Sequence, residues 1–239
     1  MDTPPIKGFI ESTLIDWQGK VASIIFMPGC NFRCHYCHAT HLVLESSELE
    51  SIPLENILNY LSSSNGWIDG VVISGGEPTL EPGLENLIDK LRELKLLIKL
   101  DTNGSRPEVL KKLIRLHKID AIAMDIKAPL NPDQYSEVAG VDVDIEKISD
   151  SIDFLLSVDG EVEFRTTVCP AFLDEEAIIE IAKRIRGARH YFLQGFRPIN
   201  CLNQEMLEIK PYPLSYMEKI LKSVREYVPN SFIRGYKYK

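Results

Sequence analysis

Three cysteines, Cys30, Cys34 and Cys37, share the run Met27-Pro-Gly-Cys-Asn-Phe-Arg-Cys-His-Tyr-Cys-His38, with three residues between the first pair and two between the second. Thiolates are the usual ligands of iron–sulfur clusters, and a fully protein-ligated four-iron cluster takes four. A local triplet without a fourth cysteine therefore predicts a cluster with one iron open to a substrate or cofactor. The spacing admits other metal chemistry. A Cys3His zinc site could use His35, His38 or His41, whereas a four-cysteine zinc ribbon would need a second CxxC pair. Cys169 and Cys201 are single and far apart, and read as buried or idle thiols. Five cysteines in 239 residues are neither dense nor even in number, so a disulfide framework is a poor reading.

The remaining residues with chemical potential recur at intervals. Ser74-Gly-Gly-Glu-Pro78 combines two glycines, which permit tight backbone approach, with the carboxylate of Glu77. Asp101-Thr-Asn-Gly-Ser105 is rich in turn formers and can be read as a capped turn. In Met124-Asp-Ile-Lys127, Asp125 and Lys127 are two apart and share one face of an extended strand. That pair could hold the ammonium and carboxylate of a zwitterion, or could be an internal salt bridge, since buried charges need partners. Glu163, Arg165 and Thr167 likewise share a face. Arg165 suits a carboxylate and Gln194 a polar heterocycle or ribose, although both could satisfy internal polar groups.

These segments sit where strands are expected to end. Strands are predicted at Val21–Met27, Gly70–Ser74, Ile98–Asp101, Asp120–Ile126, Glu161–Val168 and Arg189–Gln194. Helices are predicted at Leu54–Leu61, Leu84–Leu94, Pro107–His117, Ile145–Leu156, Asp174–Arg186 and Leu214–Tyr227, with a short extended piece at Phe232–Arg234. Six sequential βα units imply an α/β fold with a parallel sheet, a partial (β/α)6 open barrel of TIM-like kind; a doubly wound sheet is the alternative. In either fold, chemistry is expected at the carboxyl ends of the strands. One domain is expected over residues 1–239, with a core of about 9–198 and a helical extension of about 199–239.

Taken together, the motifs resemble the radical S-adenosylmethionine (SAM) superfamily. Cys30-x-x-x-Cys34-x-Tyr36-Cys37 is similar to its cluster motif, and Ser74-Gly-Gly-Glu-Pro78 to its methionine-binding loop. Asp101-Thr-Asn-Gly104, Asp125-Ile-Lys127, Thr13-Leu-Ile-Asp16, Gly19-Lys20 and Phe164-Arg-Thr-Thr167 resemble the branch that activates glycyl radical enzymes. Within it, the chain is most similar to activating proteins of anaerobic ribonucleoside-triphosphate reductase. Gln18 and Ala39 depart from the residues common in those relatives, at positions where a partner loop could dock.

The resemblance implies that Cys30, Cys34 and Cys37 hold a [4Fe-4S] cluster whose fourth iron chelates the amino and carboxylate groups of SAM. It implies that Tyr36 and His38 flank the adenine, and that Ser74, Gly75, Gly76 and Glu77 form the loop meeting the methionyl amine. Asp101, Asn103 and Lys127 would contact the rest of the amino-acid end or the ribose. In some relatives the residues matching Asp101, Thr102 and Asp125 help bind a monovalent cation. The implied activity is reductive cleavage of SAM, with the resulting radical abstracting hydrogen from a backbone glycine of a partner enzyme. A flavodoxin or ferredoxin would supply the electron. A radical enzyme acting on a small molecule or nucleoside, such as a deazapurine-forming enzyme, and a non-catalytic zinc-binding interaction protein are the competing readings.

Composition excludes other classes. The formal net charge of -8 argues against broad nucleic-acid or anionic-membrane binding. Apolar-rich runs such as Val21–Pro28 and Leu94–Leu100 are far too short to span a membrane. No signal segment is recognised, and a cytoplasmic location is expected. The basic, aromatic end Arg234-Gly-Tyr-Lys-Tyr-Lys239 reads as a solvated tail.

Overall fold

The structure, a computed structural model, describes residues 3–64 and 66–236. By contact the chain divides into two compact units, the first comprising Met1–Asn31, Ala39–Thr102 and Glu108–Ile122, the second Phe32–His38, Asn103–Pro107 and Ala123–Lys239.

In the first unit, β1 (Gly8–Thr13) runs antiparallel to β2 (Ala22–Met27). From β2 the pairing is parallel, to β3 (Gly70–Gly75) and then to β4 (Leu97–Thr102), with Ile25 opposite Ile73 and Ile73 opposite Leu100. Helices α1 (Thr40–Leu44), α2 (Leu54–Ser63), α3 (Leu84–Glu93) and α4 (Pro107–Arg115) fall between or after these strands. In α3, Leu84, Leu87, Ile88 and Leu91 recur on one face at helical period, and all four are buried. Trp17, Ala22, Ile24, Val72 and Ala121 form a buried cluster with Phe26 and Leu97 packed on it. Gly70 is required there: a Cβ would lie 2.8 Å from the Trp17 ring and 2.6 Å from the Leu97 carbonyl. Sequence reading passes over β1 because this edge strand is half to fully exposed and carries no apolar run.

Strand β5 (Ala121–Asp125) carries the chain from the first unit into the second. There β6 (Glu161–Val168), β7 (His190–Gly195) and β8 (Ser231–Arg234) pair in parallel, in chain order. Helices α5 (Pro132–Ala139), α6 (Ile145–Ser157), α7 (Glu175–Arg184) and α8 (Leu214–Val224) belong to this unit. The first three begin at side-chain caps, with Asn131, Asp144 and Asp174 each accepting a backbone N–H of the first turn. α5 closes at Gly140 in the left-handed region, φ 67°.

Helices alternating with parallel strands give the expected α/β architecture. Beyond residue 199 the extended piece expected at Phe232–Arg234 is present, as part of β8 (Ser231–Arg234). With α8 and a 3-10 turn at Gln204–Glu208 before it, this strand pairs in parallel with β7, and the one correction is that Arg234 is strand rather than solvated tail. The Tyr236 hydroxyl donates to the Tyr212 carbonyl at 2.6 Å, while Lys237, Tyr238 and Lys239 lie outside the described residues. Among the described residues no helix is long and apolar enough to cross a membrane.

Candidate active site

Within the first unit, β2 leads directly to Cys30, which is half-buried. The turn after β3 is bonded to this exit: Gly76 N–H donates to Met27 O at 3.0 Å and Glu77 N–H to Gly29 O at 2.8 Å. Gly75 has φ 122°, and a Cβ on Gly76 would lie 1.7 Å from the Gly29 carbonyl oxygen. The two glycines therefore let the backbone before Cys30 approach, a demand of packing that the sequence could not separate from close approach of a ligand.

Glu77 is buried, and its carboxylate is engaged within the unit. It accepts Thr79 N–H at 3.1 Å and the hydroxyls of Thr79 and, at 2.8 Å, Thr102. These bonds compensate its desolvation and tie the turn after β3 to the end of β4. Ser74 Oγ donates to Asp101 Oδ2 at 3.2 Å. Ser74, Gly75, Gly76, Glu77, Asp101 and Thr102 are thus brought to neighbouring strand ends of one unit.

In the second unit, the stretch Phe32–His38 is fastened from three sides. Arg33 N–H donates to Ala139 O at 2.7 Å, and Phe32 meets Tyr135 of α5 edge-on. A Cβ on Gly140 would lie 2.3 Å from Arg33 O, so the end of α5 fits this stretch only with glycine. His35 stacks on Phe172 with ring centres 5.4 Å apart. The segment after β7 completes the hold, with Leu202 N–H on Cys37 O at 3.1 Å and Asn203 N–H on His35 O at 2.9 Å. His38 Nε2 pairs with Arg197 O at 2.9 Å. Sequence reading missed Phe172, Gly140 and residues 197–203 as supports of the cysteine loop. Only Asn131-Pro132 and Gly140, as start and stop of α5, carried a usable signal.

Charges gather at the end of β5 and along β6. Asp125 lies 3.1 Å from Arg165 Nε through Oδ1 and 3.5 Å from Lys127 Nζ through Oδ2. Glu163 lies 3.8 Å from Arg165 and 3.2 Å from Arg234. Burial would raise the Asp125 carboxyl, but Arg165 and then Lys127 outweigh it and hold it below its ordinary value. Burial would lower the Lys127 ammonium, yet Asp125, followed by Cys34, keeps it well above its usual range. Lys127 therefore stays cationic beside the cysteine loop. Burial raises the Cys34 thiol, with Lys127 the main opposing influence. The Tyr36 phenol is raised well above its usual value by burial, and its buried oxygen has no hydrogen-bond partner among the described residues.

The other expected contributors are placed less tellingly. Asn103 is buried and its side chain accepts Ser105 N–H at 2.9 Å, the capped turn anticipated for this segment. Gln194 reaches Thr167 at 3.5 Å. Cys169 and Cys201 are buried thiols, and burial pushes Cys169 up to about 11. Among the described residues, no three His, Cys, Asp or Glu side chains gather into a group that would hold a metal ion, so cluster ligation by Cys30, Cys34 and Cys37 rests on their spacing and thiol chemistry.

The chain matches the Radical SAM superfamily profile over residues 24–185. It is 32% identical over 234 residues to a protein of Methanocaldococcus jannaschii provisionally named a glycyl-radical enzyme activating enzyme, covering 96% of this chain and 95% of that one. It is 27% identical over 232 residues to the pyruvate formate-lyase-activating enzyme of Streptococcus mutans, covering 90% and 86%. Among solved structures, SuiB of Streptococcus suis bound to S-adenosylmethionine shares the fold with a TM-score of 0.64 at 19% identity. That match covers 89% of this chain, which spans about half (52%) of SuiB.

Proposed function

The chain belongs to the radical SAM superfamily, whose members use a [4Fe-4S] cluster and S-adenosylmethionine, and from that premise we propose that it is an activase that generates a glycyl radical on a partner enzyme. The observation that carries this reading is similarity over nearly the whole chain to one activating enzyme, at 27% identity, and to a protein provisionally named as another, at 32%. The resemblance of the motifs points to an anaerobic ribonucleoside-triphosphate reductase as partner, and to a flavodoxin or ferredoxin as electron donor.

The residues present suit the cofactors. Three thiols in one short loop are the donor chemistry of an iron–sulfur cluster with an open iron. Bound there, the cluster and SAM supply one-electron cleavage and hydrogen abstraction, chemistry that belongs to the cofactors. The protein supplies position and charge. Phe32–His38 is held by backbone bonds to α5 and to residues 197–203, so Cys34 and Cys37 are presented on a supported loop. Lys127, kept cationic by Asp125, is the group to receive the SAM carboxylate. Asp125 would meet the positive end or a cation, and Arg165 fixes Asp125 in place. For Glu77, whose carboxylate is engaged by Thr79 and Thr102, the proposed role is to set the turn so that backbone atoms of Gly75 and Gly76 face the methionyl amine.

The test is anaerobic reconstitution with iron and sulfide, reduction by dithionite, and measurement of 5′-deoxyadenosine from added SAM. Wild type is expected to cleave SAM. Cys34→Ala should lose cleavage while keeping its thermal transition, because the substitution removes one buried sulfur and leaves the loop's backbone bonds intact. Cleavage retained by a folded Cys34→Ala protein would remove Cys34 from the cluster.

A further inference from the structure

The C-terminal strand enters the charge system of the site. β8 lies parallel to β7, with Gln194 opposite Arg234. From there Arg234 crosses to β6 and forks onto Glu163, Nη1 to Oε1 at 3.2 Å and Nη2 to Oε2 at 3.3 Å. Its guanidinium rests 3.4 Å from the centre of the Phe192 ring, which fixes the plane of the fork. Arg234 thus meets both oxygens of Glu163, while Arg165 Nη1 stands 3.8 Å from one of them. Arg165 in turn gives its Nε to Asp125, whose other oxygen faces Lys127. Three cations and two carboxylates alternate along this ladder, and the Arg165 and Glu163 side chains at its centre are only 10% and 12% exposed.

We propose that Arg234 is a positioning residue for the ligand-binding end of the ladder: by occupying Glu163 it leaves Arg165 to Asp125, and so keeps Lys127 available to the carboxylate of SAM. The inference rests on the reading that SAM binds beside Lys127. A carboxylate as buried as Glu163 needs compensation. Without the Arg234 fork, Arg165, already 3.8 Å away, is drawn toward the carboxylate. Arg165 then turns from Asp125 toward Glu163, Asp125 closes on Lys127, and the ammonium is withdrawn from the ligand. The effect reaches the site through two intervening pairs, without contact between Arg234 and SAM.

The mechanism predicts a specific rescue. In cluster-loaded protein, Arg234→Met should weaken SAM binding by about tenfold, the order of a lost charged hydrogen bond, with KM rising and kcat little changed. Adding Glu163→Gln removes the competitor for Arg165 and should restore affinity to near wild type. Glu163→Gln alone should bind SAM at least as tightly as wild type, and this arm stands even where Arg234→Met fails to fold. Equilibrium dialysis against labelled SAM reads affinity directly, and thermal unfolding checks each fold. Unchanged affinity in Arg234→Met, an equally weak double variant, or weaker binding in Glu163→Gln would each overturn the proposal. A wild-type protein that fails to bind SAM would overturn the underlying reading instead.

Discussion

The turn after β3 and the charged residues at the end of β5 and along β6 carry motifs of equal prominence in the sequence, but the structure uses them differently. At Gly75, Gly76 and Glu77 the unusual residues serve the protein itself: the glycines admit the backbone of Met27 and Gly29, and the carboxylate binds Thr79 and Thr102. At Asp125, Lys127 and Arg165 the side chains are paired, yet the linked groups run from Lys127 to the C-terminal strand with cations at both ends. The first region fixes geometry through backbone and a satisfied carboxylate. The second holds charge whose arrangement a ligand can exploit. A strand-end motif is therefore not evidence of ligand contact by each of its side chains.

That contrast can be broken at several points. The largest effect is expected from Gly76→Ala, whose new methyl would collide with the Gly29 carbonyl 1.7 Å away. With backbone as the obstacle, relief requires moving the chain before Cys30, and a cost of about 3 kcal/mol follows. Chemical denaturation should show that loss, and reconstitution should show reduced iron content. A stable Gly76→Ala protein with full iron would mean the turn is not packed as described.

Lys127→Met should act on the ligand instead. Loss of a buried cation facing a carboxylate is expected to weaken SAM binding at least about tenfold, while the cluster still assembles, as read by its visible absorption. Unchanged affinity would take Lys127 out of the site. Glu77→Gln should have the smallest effect. It keeps an acceptor for Thr79 and Thr102 but loses the charge, so about 1 kcal/mol of stability should go, with SAM affinity little altered. A large fall in affinity at unchanged stability would show instead that the carboxylate itself meets the cofactor.

Much of this arrangement was legible before the structure, for reasons visible in particular residues. Ala22–Met27 and Ala121–Asp125 are strongly buried strands, so their apolar runs declare themselves, and the 3.6-residue recurrence in α3 declares a helix. The cysteine spacing and the Asp125–Lys127 period-two pair are local patterns, and local patterns survive in a sequence. The direction of a carboxylate does not: nothing in Ser74-Gly-Gly-Glu-Pro78 says that Glu77 turns onto Thr102, 25 residues away. The pairing of Glu163 with Arg234 spans 71 residues and exists only because β8 lies beside β7. α5 is a different omission. Its eight residues are short, but Asn131, Pro132 and Gly140 mark both ends, and the signal was there to be used.

The central claim, that this chain makes a glycyl radical on another protein, has one direct test. The reconstituted, reduced protein is mixed anaerobically with SAM and a candidate anaerobic ribonucleoside-triphosphate reductase, and the mixture is examined by electron paramagnetic resonance. The account predicts a long-lived doublet from a carbon-centred radical on the partner, formed with 5′-deoxyadenosine and absent when the partner's target glycine is replaced by alanine. SAM cleavage with no such radical, accompanied by turnover of a free nucleoside or other small molecule, would contradict it.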